Sequence, residues 1–254
     1  MNYFLETLKS RNETLYYFGL ACLVSAIAFV LLWATTNTKV YGINAWIKPF
    51  KFSVSTFLYA WAMAWFIGYL PAFDASLFNW VTIVTLGFEI VYIALQASKG
   101  QLSHYNISTP VYASLYAAMA AAATIATMGA AYIGILFFAS DFPQLPPYYL
   151  WAIRLGIIIF VIFSFEGFVM GSRMTHTIGG PDGESGIPVL NWSTKYGDPR
   201  IAHFIGMHAL QVIPILSYHL LKSTRLTILL GIAYALLAVF TLVQALQGKP
   251  LFKL

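Results

Sequence analysis

Residues 226–246 read LTILLGIAYALLAVFTLVQAL and contain no charged side chain. The hydrocarbon core of a bilayer is about 30 Å thick and needs about 20 apolar residues of α-helix to cross it, so this run is long enough to span a membrane. Six further apolar runs fall at 15–34, 50–70, 79–97, 111–138, 148–170 and 201–221. The sequence therefore predicts an all-α fold, a polytopic membrane bundle of seven transmembrane helices.

The composition excludes a water-soluble protein of this size. Of the 254 residues, 59% are hydrophobic and only 9% are charged, whereas soluble domains carry roughly 25% charged residues. The formal net charge is +5, but the basic residues are spread through the loops between apolar runs, where lipid phosphate and topology account for them. We therefore expect membrane lipid as a partner and no nucleic acid, and the sequence leaves an oligomer open.

We predict a single integral membrane domain over residues 1–254, because no linker is long enough to divide the chain. The N-terminal segment 1–14 has the apolar stripe of a short interfacial helix, formed by Phe4, Leu5 and Leu8. A long polar loop, 171–200, follows the fifth run. Its Gly and Pro residues are typical either of a solvated connector or of a lid that folds back over the helix ends.

Lysine and arginine divide unequally between the two predicted membrane faces. With seven alternating spans, the face of the N-terminus holds four of them, and the face of loop 171–200 and the C-terminus holds nine. The positive-inside rule therefore predicts that the N-terminus is outside and the C-terminus inside.

Ionisable side chains collect toward the face of loop 171–200. Glu89 and Glu166 lie inside apolar runs, and an acid in the hydrocarbon core is a functional-site hypothesis by default because its charge costs several kcal/mol there. At about 1.5 Å of rise per residue, Glu89 and His208 lie at a similar depth, which allows them to meet. Four of the five histidines map to this face and are the candidate metal ligands: His104, His176, His203 and His208.

The run WSTKYGDPRIAHFIGMHALQ opens the sixth span. His203 and His208 are five residues apart, or about 140° around a helix, so they do not form the i, i+4 pair that grips one zinc ion. His208 and Gln211 share a face. Asp198 stands before Pro199 as a helix N-cap does, and it is also a candidate to orient a histidine ring.

Basic and aromatic residues near the same face predict a cofactor-binding surface. Lys48 and Lys51 share a helix face and are either lipid-snorkelling side chains or a cationic clamp for a haem propionate, a lipid phosphate or a quinone-like oxygen. The full set of candidate cofactor-binding residues is Lys48, Lys51, Arg173, Trp192, Arg200 and Gln211.

These residues favour an integral membrane metalloprotein with a buried His/Glu site near one membrane face. Neutral imidazoles are common ligands of haem and of transition metals, so we expect haem b or Fe, Cu or Zn, a redox activity, and a lipophilic substrate or quinone. The candidate catalytic acids are Glu89, Glu166 and Asp198.

Three alternatives stay open: a proton-coupled transporter or channel, a zinc-dependent lipid hydrolase, and a sensor or assembly subunit without catalysis. A proton relay would need polar groups that continue to the opposite face. Only Arg154 and His219 are ionisable in that direction, which disfavours a path through the membrane.

Several strings are similar to those of an uncharacterised family of bacterial seven-helix membrane proteins: WSTKYGDPRIAHFIGMHALQVIP, NAWIKPFKFSVS, QASKGQLSHYNISTP and GGPDGESGIPV. The resemblance covers most of the chain. It implies a bacterial inner-membrane location, and it implies no particular activity.

Overall fold

The computed structural model describes residues 2–184 and 186–253. These residues form eight α-helices and a two-stranded antiparallel sheet, β1 (Lys39–Val40) with β2 (Ile43–Asn44). The helices are α1 (Asn2–Arg11), α2 (Glu13–Thr35), α3 (Ile47–Ile67), α4 (Ser76–Ser98), α5 (Pro110–Ala139), α6 (Pro147–Arg173), α7 (Arg200–Leu216) and α8 (Thr224–Leu246). A π-helical turn, Ser217–Leu221, extends α7.

Seven of these helices, α2 to α8, are long and apolar enough to cross a membrane. They match the predicted apolar runs to within three residues at each end. Large apolar side chains on these helices are exposed, such as Val24 at 65% and Leu236 at 63%, which suits contact with lipid tails and not with water. The all-α fold with seven membrane-spanning helices is confirmed, and the chain is an integral membrane protein.

The sequence supplies suitable starts for α2 and α6. The side chain of Asn12 caps α2 by accepting a hydrogen bond from the backbone N–H of Leu15 at 3.0 Å, and Pro147 opens α6, where a missing N–H costs nothing. The N-terminal segment forms the helix that the sequence predicts. Leu8 is fully buried, and the ring of Phe4 stacks on that of Trp65 at 5.3 Å.

The chain divides into two compact units, Met1–Ile133 and Gly134–Leu254. Among the predicted site residues, the first unit contains Lys48, Lys51, Glu89 and His104, and the second contains the others. The expected meeting of Glu89 with His208 joins residues of different units and stays a prediction, as does the single domain.

In the second unit, α6 and α7 pack closely because glycines on their contact faces have no side chain to hold the two helices apart. A Cβ on Gly206 would lie 2.1 Å from the Phe163 side chain, and a Cβ on Gly156 would lie 3.0 Å from the carbonyl oxygen of Ala209. Small residues of this kind let helices pack tightly in lipid. The same contact places Glu166, one turn beyond Phe163, opposite the start of α7.

Candidate functional site

Glu166 of α6 and His203 of α7 form a buried pair in the second unit. The Nδ1 atom of His203 lies 3.4 Å from Oε2 of Glu166. The Glu166 side chain is 4% exposed and that of His203 is 30% exposed. Both carboxylate oxygens of Glu166 are buried, and neither has a hydrogen-bond partner among the residues that the structure describes. Two titratable groups therefore lie together where charge is costly.

The imidazole of His203 has a defined orientation. Its Nδ1 lies 2.7 Å from the backbone carbonyl oxygen of Phe163, and because a carbonyl only accepts hydrogen bonds, Nδ1 carries a hydrogen and donates it. In the neutral ring, Nε2 is then left with its lone pair. Gly167 makes room for this ring, since a Cβ there would lie 3.2 Å from Cε1 of His203.

His208, one turn and a half further along α7, sits in an aromatic environment. Its ring packs on that of Phe204 at 4.3 Å, and Phe204 in turn contacts Trp192 at 5.4 Å. Gln211 is on the same helix face as His208, as the sequence predicts, and its Oε1 is buried without a partner in the described part of the chain. Trp192 thus covers the start of α7 and lies near His208 by way of Phe204.

Asp198 organises the entry to α7. Its fully buried carboxylate accepts hydrogen bonds from the backbone N–H groups of Ser193 at 2.8 Å and Arg200 at 3.1 Å. The Arg200 guanidinium binds the same carboxylate and also donates to the carbonyl of Asn191 at 2.6 Å. The helix begins at Arg200 and its N-cap residue is Pro199, which has no side-chain cap. Asp198 was predicted as the N-cap and lies one residue before it, although its carboxylate bonds the first helical N–H. The catalytic role of Asp198 stays a prediction.

A second carboxylate, Asp182, orders the loop between α6 and α7. It accepts hydrogen bonds from backbone and side-chain donors of Thr175, His176 and Thr177, at 2.8–3.0 Å. Burial raises the pKa of Asp182, but the hydrogen bonds from His176 and Thr177 outweigh it and hold the pKa below its usual range. The Nδ1 atom of His176 is one of these donors, which gives this candidate metal ligand a structural partner.

The loop also pairs with itself and packs on α8. Ile178 and Gly197 exchange two backbone hydrogen bonds, at 2.9 and 3.1 Å. Gly197 has no room for a side chain, because a Cβ would lie 1.9 Å from the carbonyl oxygen of Ala245. Within the described residues, the loop is therefore a folded cover at this end of the second unit and not a solvated connector.

The first unit contains the candidate residues Lys48, Lys51, Glu89 and His104. Glu89 is 8% exposed on α4, and the charge of Lys48 acts on it electrostatically. The Nδ1 atom of His104 lies 3.2 Å from the hydroxyl of Ser103, and its ring packs near Phe52 at 5.7 Å.

Across residues 2–184 and 186–253, no three side chains of His, Cys, Asp or Glu lie close enough together to hold a metal ion. The four candidate histidine ligands have different neighbours: His104 contacts Ser103, His176 contacts Asp182, His203 contacts Phe163, and His208 contacts Phe204. Arg173 is exposed at the end of α6, and Arg200 is engaged by Asp198. The metal set and the cationic clamp therefore stay predictions.

Sequence reasoning missed two features of this region. Asp182 was not singled out, although the string GGPDGE around it is typical of a tight turn whose aspartate bonds nearby backbone. The carbonyl of Phe163 has no signal in the sequence, because any residue type offers the same acceptor.

Comparison with known protein families, with curated proteins and with solved structures finds no match in any of the three.

Proposed function

We propose that this protein is a proton-coupled membrane protein in which the Glu166–His203 pair binds and releases a proton. The observation that supports this most directly is the buried carboxylate of Glu166. Among the residues that the structure describes, its ion-pair partner is the imidazole of His203, at 3.4 Å. An ionised carboxylate alone in such a place costs several kcal/mol. One proton shared between the two groups removes that cost, whether it sits on Glu166 or on His203.

The pair is within reach of the aqueous phase on the loop side. Glu166 lies seven residues before the end of α6 at Arg173, or about 10 Å at 1.5 Å per residue. His203 lies in the first turn of α7 and keeps 30% of its side chain exposed. A proton can therefore reach the pair from the loop side without crossing the rest of the helix.

Among the described residues, His203 is the ion-pair partner of Glu166. On α8, the titratable residues are Arg225, in its first turn, and Tyr234. The hydroxyl of Tyr234 donates to the carbonyl of Ile205 at 2.8 Å, so it is occupied by the backbone of α7. On α7, His203 is the ionisable residue that contacts Glu166.

The test is an infrared titration of the purified protein in lipid. A protonated carboxylic acid has a carbonyl stretch separate from that of a carboxylate, and we expect a pH-dependent band that disappears in Glu166→Gln. The matched control is Glu13→Gln, which removes an exposed carboxyl that pairs with Lys9. An infrared spectrum that is identical in wild type and Glu166→Gln at every pH contradicts the proposal.

A second candidate function rests on the orientation of His203. Ligating histidines almost always donate their other ring N–H to a carbonyl or carboxylate, and here Nδ1 donates to Phe163 with Glu166 close by. Nε2 is thereby prepared to bind haem b or a transition metal. A single imidazole suits an axial ligand of haem better than a non-haem or zinc site, which needs three or four protein ligands.

Absorbance near the Soret region and metal analysis distinguish this second candidate. It predicts bound haem or metal in wild type and its loss in His203→Ala, with retention in His219→Ala, which alters an exposed histidine. Full cofactor content in His203→Ala rules out His203 as the ligand.

We further propose that the protein lies in a bacterial inner membrane with its C-terminus inside. Protease accessibility of a C-terminal tag in right-side-out vesicles checks this orientation.

A further inference from the structure

The buried residues of α4 in the first unit include a row of six polar ones, beside the apolar Phe78, Ile90, Ile93 and Ala97. The polar members follow the helical repeat and are each less than 9% exposed: Asn79, Thr82, Thr85, Glu89, Tyr92 and Gln96. The opposite faces of the same helix present large exposed apolar side chains, including Leu77, Trp80, Val84 and Val91. This arrangement is the reverse of a helix in a water-soluble protein, and we call the six buried residues the polar stripe.

The polar stripe is long enough to cross the hydrocarbon core. From Asn79 to Gln96 there are 17 residue steps, which at about 1.5 Å per residue give about 26 Å, against a hydrocarbon thickness of about 30 Å. Glu89 lies ten residues after Asn79 and seven before Gln96. The one carboxyl group of the stripe therefore stands near the middle of the membrane, where an ionisable residue is most costly and most often functional.

Neighbouring elements add polar groups to the stripe. Asn12 pairs with Asn79 through two side-chain hydrogen bonds, at 2.8 and 3.1 Å, and the hydroxyl of Tyr59 lies beside Thr82. On α3, Ser53 is fully buried, and its hydroxyl has no partner among the described residues.

At its other end, the polar stripe opens into a cavity. Tyr92 and Gln96 line a partly open cavity of about 200 Å³ together with Lys99 and Tyr112, and the rest of its lining is apolar: Phe88, Val91, Leu95 and Leu115. The amide of Gln96 donates to the hydroxyl of Tyr92 at 3.2 Å and to the carbonyl of Leu102 at 3.0 Å, so the last polar groups of the stripe are hydrogen-bonded where they reach the cavity.

We propose that the polar stripe of α4 is a proton pathway across the first unit and that Glu89 is its central proton carrier. A hydronium ion at the Gln96 end of the stripe gives its proton to a carboxylate oxygen of Glu89, leaving water, and Glu89 then gives the proton to water beside Thr85 and Thr82. One proton is bound and one is released, with no electron transfer. Successive stripe residues are three or four apart, a rise of about 5 Å that one water bridges.

Other charged or titratable groups around Glu89 are few. From α3, Lys48 acts on it electrostatically, and Tyr59 lies further along the stripe. Tyr92 is on α4 itself, and Tyr112 and Tyr116 lie on α5. On α2, the titratable residues are Glu13, Tyr16, Tyr17 and Cys22, all in its first half.

The proposal differs from a purely structural role of the stripe. Thr85 bonds the carbonyl of Val81 at 2.7 Å, and such hydroxyls and amides also serve as contacts between helices in lipid. Helix packing has no need of an ionisable group, so Gln in place of Glu89 preserves a packing role and removes a carrier. The inference rests on the proposed proton coupling, but it concerns another unit and another carboxyl group.

The experiment measures proton flux into vesicles that contain the full chain, with a trapped pH-sensitive dye and a potassium diffusion potential as driving force. We expect wild type to conduct faster than protein-free vesicles, and Glu89→Gln to fall to the protein-free rate. Thr85→Val, which removes one hydroxyl from the stripe, is expected to lower the flux, whereas Glu13→Gln and Thr124→Val are not. Thr124 makes the same backbone bond on α5.

Equal flux in wild type and Glu89→Gln overturns the proposal, as does a wild-type flux no greater than that of lipid alone. Circular dichroism and the elution volume of each variant show that it is folded, and Glu89→Asp, which keeps the carboxyl group, is expected to recover part of the flux. The infrared band of Glu166 is expected to persist in Glu89→Gln. A wild-type protein that shows the Glu166 band but no proton flux contradicts this pathway alone. A wild-type protein that conducts protons through Glu89 but lacks the Glu166 band contradicts the proton-binding pair alone.

Discussion

Three carboxylates of the second unit, although of the same chemistry, have contrasting surroundings. Asp182 and Asp198 are surrounded by donors, with hydrogen bonds from backbone N–H groups and from His176 or Arg200. Glu166 is more deeply placed in the helix pair and has His203 at ion-pair distance instead. The first two are suited to holding a loop in one conformation, and the third is suited to exchanging a proton.

At this scale we predict that Asp182→Asn loosens the loop between α6 and α7. Hydrogen bonds to a charged group contribute about 1.5–3 kcal/mol each, so a loss of about 2 kcal/mol in loop stability at neutral pH is expected. Faster cleavage of the loop by protease measures this. Asp141→Asn, at an exposed carboxylate, is the control and should leave the cleavage rate unchanged.

The same residue makes the loop sensitive to acid. Because the folded pKa of Asp182 is lower than its unfolded value, which is about 3.9 for a free aspartate, its stabilising contribution is complete above about pH 4 and is lost as the pH falls through the folded pKa. Wild type should become more protease-sensitive below about pH 4, and Asp182→Asn should lack this acid-dependent step. An equally large step in both proteins would assign the effect to another group.

Individual helices were predictable from sequence to different degrees. The spans were predicted to within three residues, because hydrophobicity summed over a run tolerates single exceptions. The polar stripe of α4 was not predicted, because only ionisable residues were counted toward a path. The hydroxyl and amide groups of Thr82, Thr85 and Asn79 were left out of that count. Arg154 and His219 do not extend a path: Arg154 donates to the carbonyl of Phe137 at 2.8 Å, and His219 is exposed.

The close contact of α6 with α7 gives a prediction about helix packing. Gly206→Ala places a methyl group within 2.1 Å of the Phe163 side chain, and overpacking of this kind costs about 1–3 kcal/mol. A lower midpoint of thermal unfolding in detergent is expected. Gly87→Ala is the matched control, because its new Cβ has no neighbour closer than 4.0 Å, and alanine favours a helix. If both variants unfold at the wild-type temperature, α6 and α7 are not packed as described.

For the whole molecule, composition was sufficient to assign the membrane environment and the helix count, since both follow from apolar length. The site was predictable only in part. Glu166, His203 and Asp198 were identified as ionisable residues near one end of the spans, and the structure brings Glu166 and His203 together. The backbone partners of His203 and Asp198 were not identified. The carbonyl of Phe163 and the N–H groups around Asp198 belong to the backbone, which has the same chemistry at every position.

The most direct test of the account is nitrogen NMR of His203 in the full chain, reconstituted in lipid and assigned by comparison with His203→Gln. The account predicts that Nδ1 stays protonated at every pH, because it donates to Phe163, while the signal of Nε2 changes as the pair takes up a proton, with a pH dependence that shifts in Glu166→Gln. A ring whose Nδ1 has no hydrogen, or whose signals are the same at every pH and in both proteins, would contradict a proton-binding Glu166–His203 pair.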